Sequence, residues 1–440
     1  MSSGRLSEYE HKERTMSLFR HFRLIYMVAS SPQIHMAARA KKVRDKVVLA
    51  YSGGLDTSVA IRWLQQNYDL DVIAVSINVG QPGDLQEAVD RALKIGAVQA
   101  YAFDATEEFV KDYIGPSLKA NALYMGTYPL ATSIARPLIA KIMVDIAKKE
   151  GAKFIAHGCT AKGNDQVRFD VSIAALAPEI KIIAPMREWV MTREDEIEYA
   201  RENDVPIKVK KECPYSTDEN IWGRSCECGI LEDAMAEPPK DAYEWTVDPA
   251  DAPDKPEYVD IHFKKGLPVG LNKSKKMSMT DIVKKLNQLG GKHGYGRIDH
   301  IEDRLVGIKS REIYESPAAM LLINAHKDLE KMVLTKDVFN YKRGVEQRFS
   351  ELAYDGLWFS PLMEALTAFI DKTQEYIDGT VRVKLYKGSA TIVGRSSPYS
   401  LYDTGLATYA EGDQFNHKSA EGFIYVWGLP LRSVAKAQKK

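Results

Sequence analysis

The stretch that decides the fold is Val47-Val48-Leu49-Ala50-Tyr51-Ser52-Gly53-Gly54-Leu55-Asp56-Thr57-Ser58. Its first four residues are apolar and mostly suited to strands, so they predict a short buried strand that ends in a turn. From Val59 onward, apolar residues recur at helical spacing, and the short polar side chains at positions 56–58 could cap the start of a helix. A second apolar run, Val72 to Ile77, completes a strand-helix-strand unit and predicts a parallel sheet.

The turn Ser52-Gly53-Gly54 is suited to binding phosphate, because ligands of parallel sheets bind beyond the carboxyl ends of the strands. Adjacent glycines let the main chain approach a phosphate and adopt unusual φ, while hydroxyl groups and the first helix amides donate hydrogen bonds. The loop is neither a Walker loop, which needs Gly-Lys-Ser/Thr, nor the dinucleotide motif G-x-G-x-x-G. The alternative is a tight turn with incidental polar residues.

A second loop with a high density of functional groups follows another predicted strand. Thr132 and Ser133 precede an amphipathic helix with Pro137 in its first turn, and the strand 153–156 then leads into a polar loop over residues 157–168. Its position after a parallel strand favours a substrate site, although a solvated loop is the plainer interpretation. For Ser133, an N-cap role is an alternative to ligand binding.

Length and composition set the broad class of the protein. With 440 residues the chain should form two or three domains, and 45% hydrophobic with 27% charged residues is typical of a globular protein. The 60 basic and 60 acidic residues leave no net charge, so nucleic acid is not an expected partner. No apolar run approaches the ~18 residues of a membrane span, so no membrane is expected either.

Four cysteines do not form a disulfide framework, which favours a reducing, cytoplasmic location. Cys213, Cys226 and Cys228, with Cys159 or a histidine, could hold zinc, but the C-x-C spacing is unusual and no metal-binding residue is predicted. Residues 1–44 are expected to be a disordered extension or to lie upstream of the true start. An organellar targeting segment is the alternative, against which the glutamates at positions 8, 10 and 13 count.

Three motifs together resemble the argininosuccinate synthase family of N-type ATP pyrophosphatases. The motifs are the stretch 50–58, the stretch 157–168, and a third that comprises Gly296-Arg297-Ile298-Asp299 through Glu302, Lys309-Ser310-Arg311 and Ile313-Tyr314-Glu315. They occur in the expected order, and the resemblance runs from about Val47 to Tyr425. It implies ATP- and Mg²⁺-dependent condensation of citrulline with aspartate through a citrullyl-adenylate, in arginine biosynthesis, by a homotetramer.

The resemblance also implies which residues meet each substrate. The residues implied for ATP are Ala50, Tyr51, Ser52, Gly53, Gly54, Leu55, Asp56, Thr57, Ser58, Ile77 and Gly158. Those implied for citrulline are Tyr128, Ser133, Asn164, Arg168, Ser216, Ser225, Glu302 and Tyr314. Those implied for aspartate are Thr160, Asn164 and Asp165. Asp165 and Arg168 are the candidate catalytic residues, and Glu302 with Arg168 forms the evident charge pair for an amino-acid substrate.

The expected fold class is α/β, with a parallel-sheet nucleotide-binding domain of the ATP pyrophosphatase type, a second α+β synthetase domain and a C-terminal oligomerisation tail. We place these three parts at residues 45–211, 212–400 and 401–440, since prolines accumulate between positions 238 and 256. Hydrophobic residues 423–427 in the tail suit contact with a partner subunit.

Two other functions compete with the synthase hypothesis. One is a different adenylating ATP pyrophosphatase that acts on tRNA or uses glutamine-derived ammonia; the zero net charge disfavours tRNA, and residue 2 is serine rather than a cysteine nucleophile. The other is a catalytically silent nucleotide sensor, which retention of Asp165, Arg168 and Glu302 disfavours.

Overall fold

The computed structural model describes residues 44–189, 191–206 and 214–439. The strands in these ranges are β1 (Lys46–Ala50), β2 (Asp71–Asn78), β3 (Gln99–Asp104), β4 (Phe154–Ala156), β5 (Lys181–Ile183), β6 (Ser216–Asn220), β7 (Gly223–Glu227), β8 (Glu257–Lys264), β9 (Leu267–Leu271), β10 (Arg297–Asp303), β11 (Lys309–Glu315), β12 (Gly379–Tyr386) and β13 (Ser389–Ser396).

The helices divide between the two halves of the chain. In the first half they are Leu55–Tyr68, Leu85–Ile95, Thr106–Phe109, Val110–Ile114 (a π-helical turn), Gly115–Lys119, Ala131–Glu150, Asp165–Leu176, Pro185–Glu188 and Arg193–Glu202. In the second half they are Met279–Lys292, Pro317–Val333, Lys336–Tyr354, Pro361–Thr373, Thr404–Ala407, His417–Trp427 and Leu429–Gln438, with 3₁₀ turns at Gly229–Glu232 and Lys240–Ala242.

The first half forms a five-stranded parallel sheet in the order β3-β2-β1-β4-β5. Strand β1 is central, and its residues Val47, Val48 and Leu49 are fully buried. Val48 packs on one face of the sheet, while its two neighbours pack on the other, as side-chain alternation along a strand requires. The predicted parallel sheet of the first half is therefore confirmed.

The second half contains two four-stranded antiparallel sheets, ordered β10-β11-β7-β6 and β13-β12-β8-β9. Together with the long helices, this is the expected α+β part. One hydrophobic cluster includes Val48 of the first sheet, Leu322 of a helix and Val381 of β12, so the core is continuous between the halves. The proposed division near residue 211 stays a prediction, since it falls in the undescribed segment 207–213.

Two local predictions are wrong by a few residues. The helix Ala131–Glu150 begins before Ser133, its N-cap is Leu130, and Pro137 lies inside it rather than in its first turn. A proline there has no N–H to give to the carbonyl of Ser133, an irregularity that periodicity alone does not reveal. The polar loop is shorter than predicted, because the helix Asp165–Leu176 already begins within it.

The tail helices His417–Trp427 and Leu429–Gln438 bury none of their residues, and Phe423 and Trp427 are more than half exposed. The tail therefore presents apolar side chains, as the sequence predicted. The extension expected at residues 1–44 lies almost entirely outside the described residues. Across the described part of the chain, no helix has both the length and the apolar character of a membrane span.

Candidate active site

The two motif loops open side by side at the switch point of the parallel sheet. Strand β1 pairs with β2 on one side and with β4 on the other, so the chain reverses its direction of winding between β1 and β4. A Cβ atom added to Gly158 would lie 3.0 Å from the Thr57 methyl group, which shows how closely the loops approach. Such a crevice is the usual ligand site in an open α/β sheet.

The first loop is shaped by main-chain conformation. Gly53 has φ of +78°, and its carbonyl accepts a hydrogen bond from Arg91 at 2.5 Å. Gly54 has φ of −75°, so only one of the two glycines uses the conformational freedom that the sequence suggested. The Ser52 hydroxyl accepts from the Gly54 amide at 3.2 Å and lies 3.1 Å from the Thr57 hydroxyl.

The predicted capping of the following helix by residues 56–58 is wrong. Gly54 is the N-cap of Leu55–Tyr68, and no side chain among the described residues caps it. The first amides of this helix therefore remain available as donors, and the helix dipole favours an anion in front of them. This arrangement suits a phosphate group better than a side-chain cap would.

A buried carboxyl group supports the first loop from behind. Glu196 in the helix Arg193–Glu202 is 3% exposed and hydrogen-bonds the side chain of Asp56. Burial, and then the neighbouring charge of Asp56, raise the pKa of Glu196 to about 8. Glu196 therefore carries a proton at neutral pH.

The second loop is anchored through His157, which is fully buried. Its Nδ1 accepts from the Cys159 amide at 3.3 Å, so its Nε2 carries the proton and donates to Asp170 at 2.8 Å. Burial, and then the charge of Asp165, raise the pKa of the Cys159 thiol, which makes a thiolate nucleophile implausible here.

Asp165 and Arg168 lie one turn apart at the start of the helix Asp165–Leu176 and bond to each other at 2.9 Å. The other oxygen of Asp165 accepts from Arg136 at 2.9 Å, and Arg136 also bonds Asp218 of β6. Burial alone would raise the pKa of Asp165, but the charges of the two arginines hold it below its usual value. Asp165 is thus an ionised group between two cations.

One face of the sheet β10-β11-β7-β6 carries the residues implied for citrulline. Tyr314, Ser225 and Asp218 are directly opposite one another on three neighbouring strands. Side-chain alternation adds Ser216 on β6 and Glu302 on β10 to the same face. Four of the residues implied for citrulline, up to 98 positions apart in the sequence, are therefore brought to one surface.

Glu302 is buried and accepts a hydrogen bond at each carboxylate oxygen. Tyr314 donates to one oxygen and Tyr354 to the other, both at 2.6 Å. The ring of Tyr128 stacks on Tyr314 with centroids 4.1 Å apart, and Tyr124 stacks on Tyr354 at 3.5 Å. These tyrosines form an aromatic wall around a carboxylate that is suited to an ammonium group.

Two polar atoms of residues implied for citrulline are buried with no partner among the described residues. They are the hydroxyl of Ser133 and Nη2 of Arg168. Since Ser133 does not cap its helix, the N-cap alternative is wrong, and its hydroxyl is free for a ligand. Buried donors without partners are costly, so both atoms indicate a polar ligand in this place.

The turn after β10 holds the second loop in place through hydrogen bonds. Arg304 donates to the carbonyl of Lys162 at 3.4 Å, and the Leu305 amide donates to Oδ1 of Asn164 at 2.8 Å. This fixes the side chain of Asn164, which belongs to both the citrulline and the aspartate predictions. The second half of the chain thus sets the geometry of a loop in the first.

Three other predicted site residues make no side-chain contact described above with the charged groups of the site. Ile77 is buried in the core near the end of β2, Thr160 is exposed in the second loop, and Ser216 is exposed at the start of β6. Their ligand roles, like those of the other predicted site residues, stay predictions.

The structure adds Arg136, Asp218, Arg304 and Tyr354 to the site, none of which the sequence analysis named. Arg136 carried a signal, since a cation follows Ser133 by one turn on a largely buried helix. The other three had no local signal, because their partners are distant in the sequence.

The cysteines do not assemble in the described part of the chain. Cys226 is buried with Leu231 and Ile313, whereas Cys159 lies near Asp165, and Cys213 falls outside the described residues. Among the described side chains, no group of three potential ligands is placed to hold a metal ion.

A separate open cavity of about 910 Å³ lies on the far side of Tyr124, between Asn121, Lys327, Arg343 and Asp355. None of the residues predicted to bind ATP, citrulline or aspartate lines it. The cavity is therefore distinct from the switch-point crevice.

Comparison with known proteins matches both halves of the chain. The model of the arginosuccinate synthase N-terminal HUP domain matches residues 46–206, and that of the C-terminal domain matches residues 215–434. The argininosuccinate synthase of Symbiobacterium thermophilum is 56% identical over 397 residues, which are 90% of this chain and 99% of that protein. The argininosuccinate synthase of Oceanobacillus iheyensis is 57% identical over 389 residues, 88% of this chain and 93% of that protein.

Proposed function

The chain belongs to the argininosuccinate synthase family, and we propose that its switch-point loops bind ATP and aspartate while the facing sheet binds citrulline. The enzyme is a ligase of arginine biosynthesis that condenses citrulline with aspartate at the expense of ATP. The ureido oxygen of citrulline attacks the α-phosphate, pyrophosphate leaves, and the aspartate amine then displaces AMP. The competing functions, a tRNA or ammonia enzyme and a silent sensor, are therefore set aside.

The citrulline assignment is carried by one observation, the unpartnered Nη2 of Arg168, whose guanidinium group lies over the ring of Tyr354, the residue that also bonds Glu302. An amino-acid substrate needs a cation for its carboxylate and an anion for its ammonium group. Arg168 and Glu302 supply these charges in a largely buried setting, where charge-assisted hydrogen bonds are strong. We assign Arg168 to the carboxylate and Glu302 to the ammonium group.

The ATP assignment is supported by the free helix amides after Gly54 and by the positive φ of Gly53. A phosphate in front of these amides would lie beside Gly158 of the second loop, close to the citrulline face. The main chain would thus hold the nucleotide while the sheet holds the attacking oxygen. Such positioning contributes more to catalysis than any single contact.

For aspartate, we propose that Asp165 accepts the substrate ammonium group and also fixes Arg168. The carboxylate of Asp165 is ionised and flanked by Asn164, and its Oδ1 keeps a lone pair beyond its one bond from Arg168. Arg136, which bonds both Asp165 and Asp218, would keep the carboxylate of Asp165 in place. This role makes Asp165 important mainly after adenylation.

We propose that Mg²⁺ enters with ATP. Mg²⁺ usually binds through one or two carboxylates together with phosphate oxygens and water. Asp56 lies in the first turn of the helix after the first loop and is the carboxylate that would hold the ion there. The ion would neutralise the charge that develops on the departing pyrophosphate.

The exposed tail supports the proposal of a homotetramer. Residues 423–427 and Leu431 lie on helices that bury nothing within one chain, and an apolar surface of this kind usually contacts another subunit. A cytoplasmic location is supported by the free thiols of Cys159 and Cys228. Light scattering of the full chain and of a chain ending at residue 400 would test the tetramer.

Pyrophosphate release with ATP, citrulline and aspartate, each omitted in turn, tests the reaction. Oxygen-18 positional exchange in ATP, with citrulline but without aspartate, isolates the first step. In Asp165→Asn, we expect full turnover to fall at least tenfold more than exchange. Equal losses in both would show that Asp165 serves ATP or citrulline instead of aspartate.

A further inference from the structure

Tyr354 touches both halves of the active site. It is the last residue of the helix Lys336–Tyr354, and its side chain is 1% exposed. Nothing in its local sequence marks it as functional. Its contacts nevertheless reach three residues that we assign to citrulline.

In the first half, Tyr354 contacts Asn164 and Arg168. Nδ2 of Asn164 donates to the Tyr354 hydroxyl at 2.9 Å. Nε of Arg168 donates to the Tyr354 carbonyl at 2.9 Å, and the guanidinium group lies over the ring, 4.7 Å from its centroid. With Nη1 bound to Asp165, these contacts leave Nη2 as the free end of Arg168.

In the second half, the Tyr354 hydroxyl donates to Glu302 at 2.6 Å. The donors and acceptors in this series of hydrogen bonds are determined, because Oδ1 of Asn164 already accepts from the Leu305 amide. Asn164 must therefore present its amide hydrogens to Tyr354, whose own proton goes to Glu302. One hydroxyl orients the side chains of both residues.

We propose that Tyr354 is a positioning residue that sets the geometry of the citrulline site. The inference rests on the proposed citrulline roles of Asn164, Arg168 and Glu302. Through its hydroxyl, Tyr354 aligns Glu302 with the ammonium group, and through its ring and carbonyl it aims Arg168 at the carboxylate. It acts through these residues and needs no contact with citrulline itself.

Tyr354→Phe removes the hydroxyl while the ring and the carbonyl remain, so Arg168 keeps its support and the volume of the core is unchanged. We expect the KM for citrulline to rise roughly 10- to 100-fold, as for the loss of one hydrogen bond to a charged group. The KM for ATP should change less than about threefold, because the first loop does not contact Tyr354. Thermal unfolding would verify that the variant is folded.

Tyr101→Phe is the matched control. Tyr101 lies in β3, away from the citrulline face, and its buried side chain donates a hydrogen bond to the carboxylate of Glu150 at 2.5 Å. This variant therefore also removes a phenolic donor to a carboxylate, but without touching Glu302. We expect its citrulline KM to stay within about threefold of the wild-type value.

A double-mutant cycle with Glu302→Gln tests whether Tyr354 acts through Glu302. The combined loss should then be clearly smaller than the product of the single losses. An unchanged citrulline KM in Tyr354→Phe, equal rises in the KM for citrulline and ATP, or multiplicative effects in the cycle would each overturn the inference. An unchanged citrulline KM in Glu302→Gln alone would instead overturn the underlying substrate assignment.

Discussion

The first loop and the citrulline face bind their ligands by different means. The loop uses main-chain amides and small hydroxyl groups from one continuous stretch, with Arg91 as its long-range support. The citrulline face uses charged and phenolic side chains whose bonds span 52 residues between Glu302 and Tyr354 and 190 between Asn164 and Tyr354. A site of main-chain donors depends on local conformation, whereas a site of side chains depends on how distant elements pack.

The largest effect should come from the citrulline face. Arg168→Lys loses the planar donor set, which leaves Asp165 with one fewer partner and the citrulline carboxylate without its matching group. We expect kcat/KM for citrulline to fall roughly 100- to 1,000-fold, the loss typical of a buried charged hydrogen-bonding pair. Steady-state kinetics would measure it, with the exposed Arg348→Lys as control. A loss below tenfold would contradict the carboxylate assignment.

The loop should respond to conformation more than to chemistry. Gly53→Ala places a side chain at φ of +78° and should raise the KM for ATP roughly 5- to 30-fold, since left-handed φ costs an L-residue about 1–2 kcal/mol. Gly53→Asn should lose less, because asparagine tolerates this region better. Equal losses in the two variants would indicate a steric cause instead. At Gly54, whose φ is ordinary, a valine would act only by filling the phosphate space.

A third experiment concerns the carboxyl pair behind the loop. Because its pKa is raised, Glu196 keeps its proton in the folded protein up to about pH 8, whereas in the unfolded chain it loses the proton above its usual pKa of 4.5. The stability that the folded protein gains from holding this proton is fully present below pH 4.5 and is lost as the pH rises toward about 8. Glu196→Gln, which mimics the protonated group, should therefore raise Tm at pH 8 by about 2–4 °C and change it little at pH 5. The exposed Glu194→Gln should show no such pH dependence; if it does, general surface charge is responsible.

The smallest effect should come from a weakly bonded hydroxyl on the citrulline face. Ser225 donates to the carbonyl of Asp218 at a long 3.4 Å. Ser225→Ala should raise the citrulline KM only about two- to fivefold. Ser389→Ala, in an exposed hairpin, is its control. A loss as large as that in Arg168→Lys would mean that hydroxyl groups dominate recognition on this face.

The same contrast explains what could be predicted from the sequence. Strands β1 and β2 and the first loop follow from apolar runs and glycine, and the sheet order then places the two loops together. Helix starts were less predictable: Ser133 and residues 56–58 have the chemistry of caps, yet Leu130 and Gly54 occupy those positions. Propensity describes what a side chain could do, and packing decides which residue begins the helix.

Site residues were predictable where they lie in contiguous motifs, such as 157–168, or in the third motif with Glu302 and Tyr314. Tyr354 was not predictable, because it ends an ordinary amphipathic helix and its hydrogen-bond partner Glu302 is more than 50 positions away. Arg304 was missed for the same reason, since its turn meets the second loop only after the halves dock.

The distance between Asn164 and Tyr354 also has a consequence during translation. A ribosome that adds about 5–20 residues per second needs roughly 10–40 s to pass from one to the other. Throughout that interval the nascent chain contains both nucleotide loops but lacks Glu302, Tyr354 or both. The two nucleotide loops are therefore synthesised before the citrulline face. ATP bound to these loops in the nascent chain would have no citrulline oxygen positioned beside it.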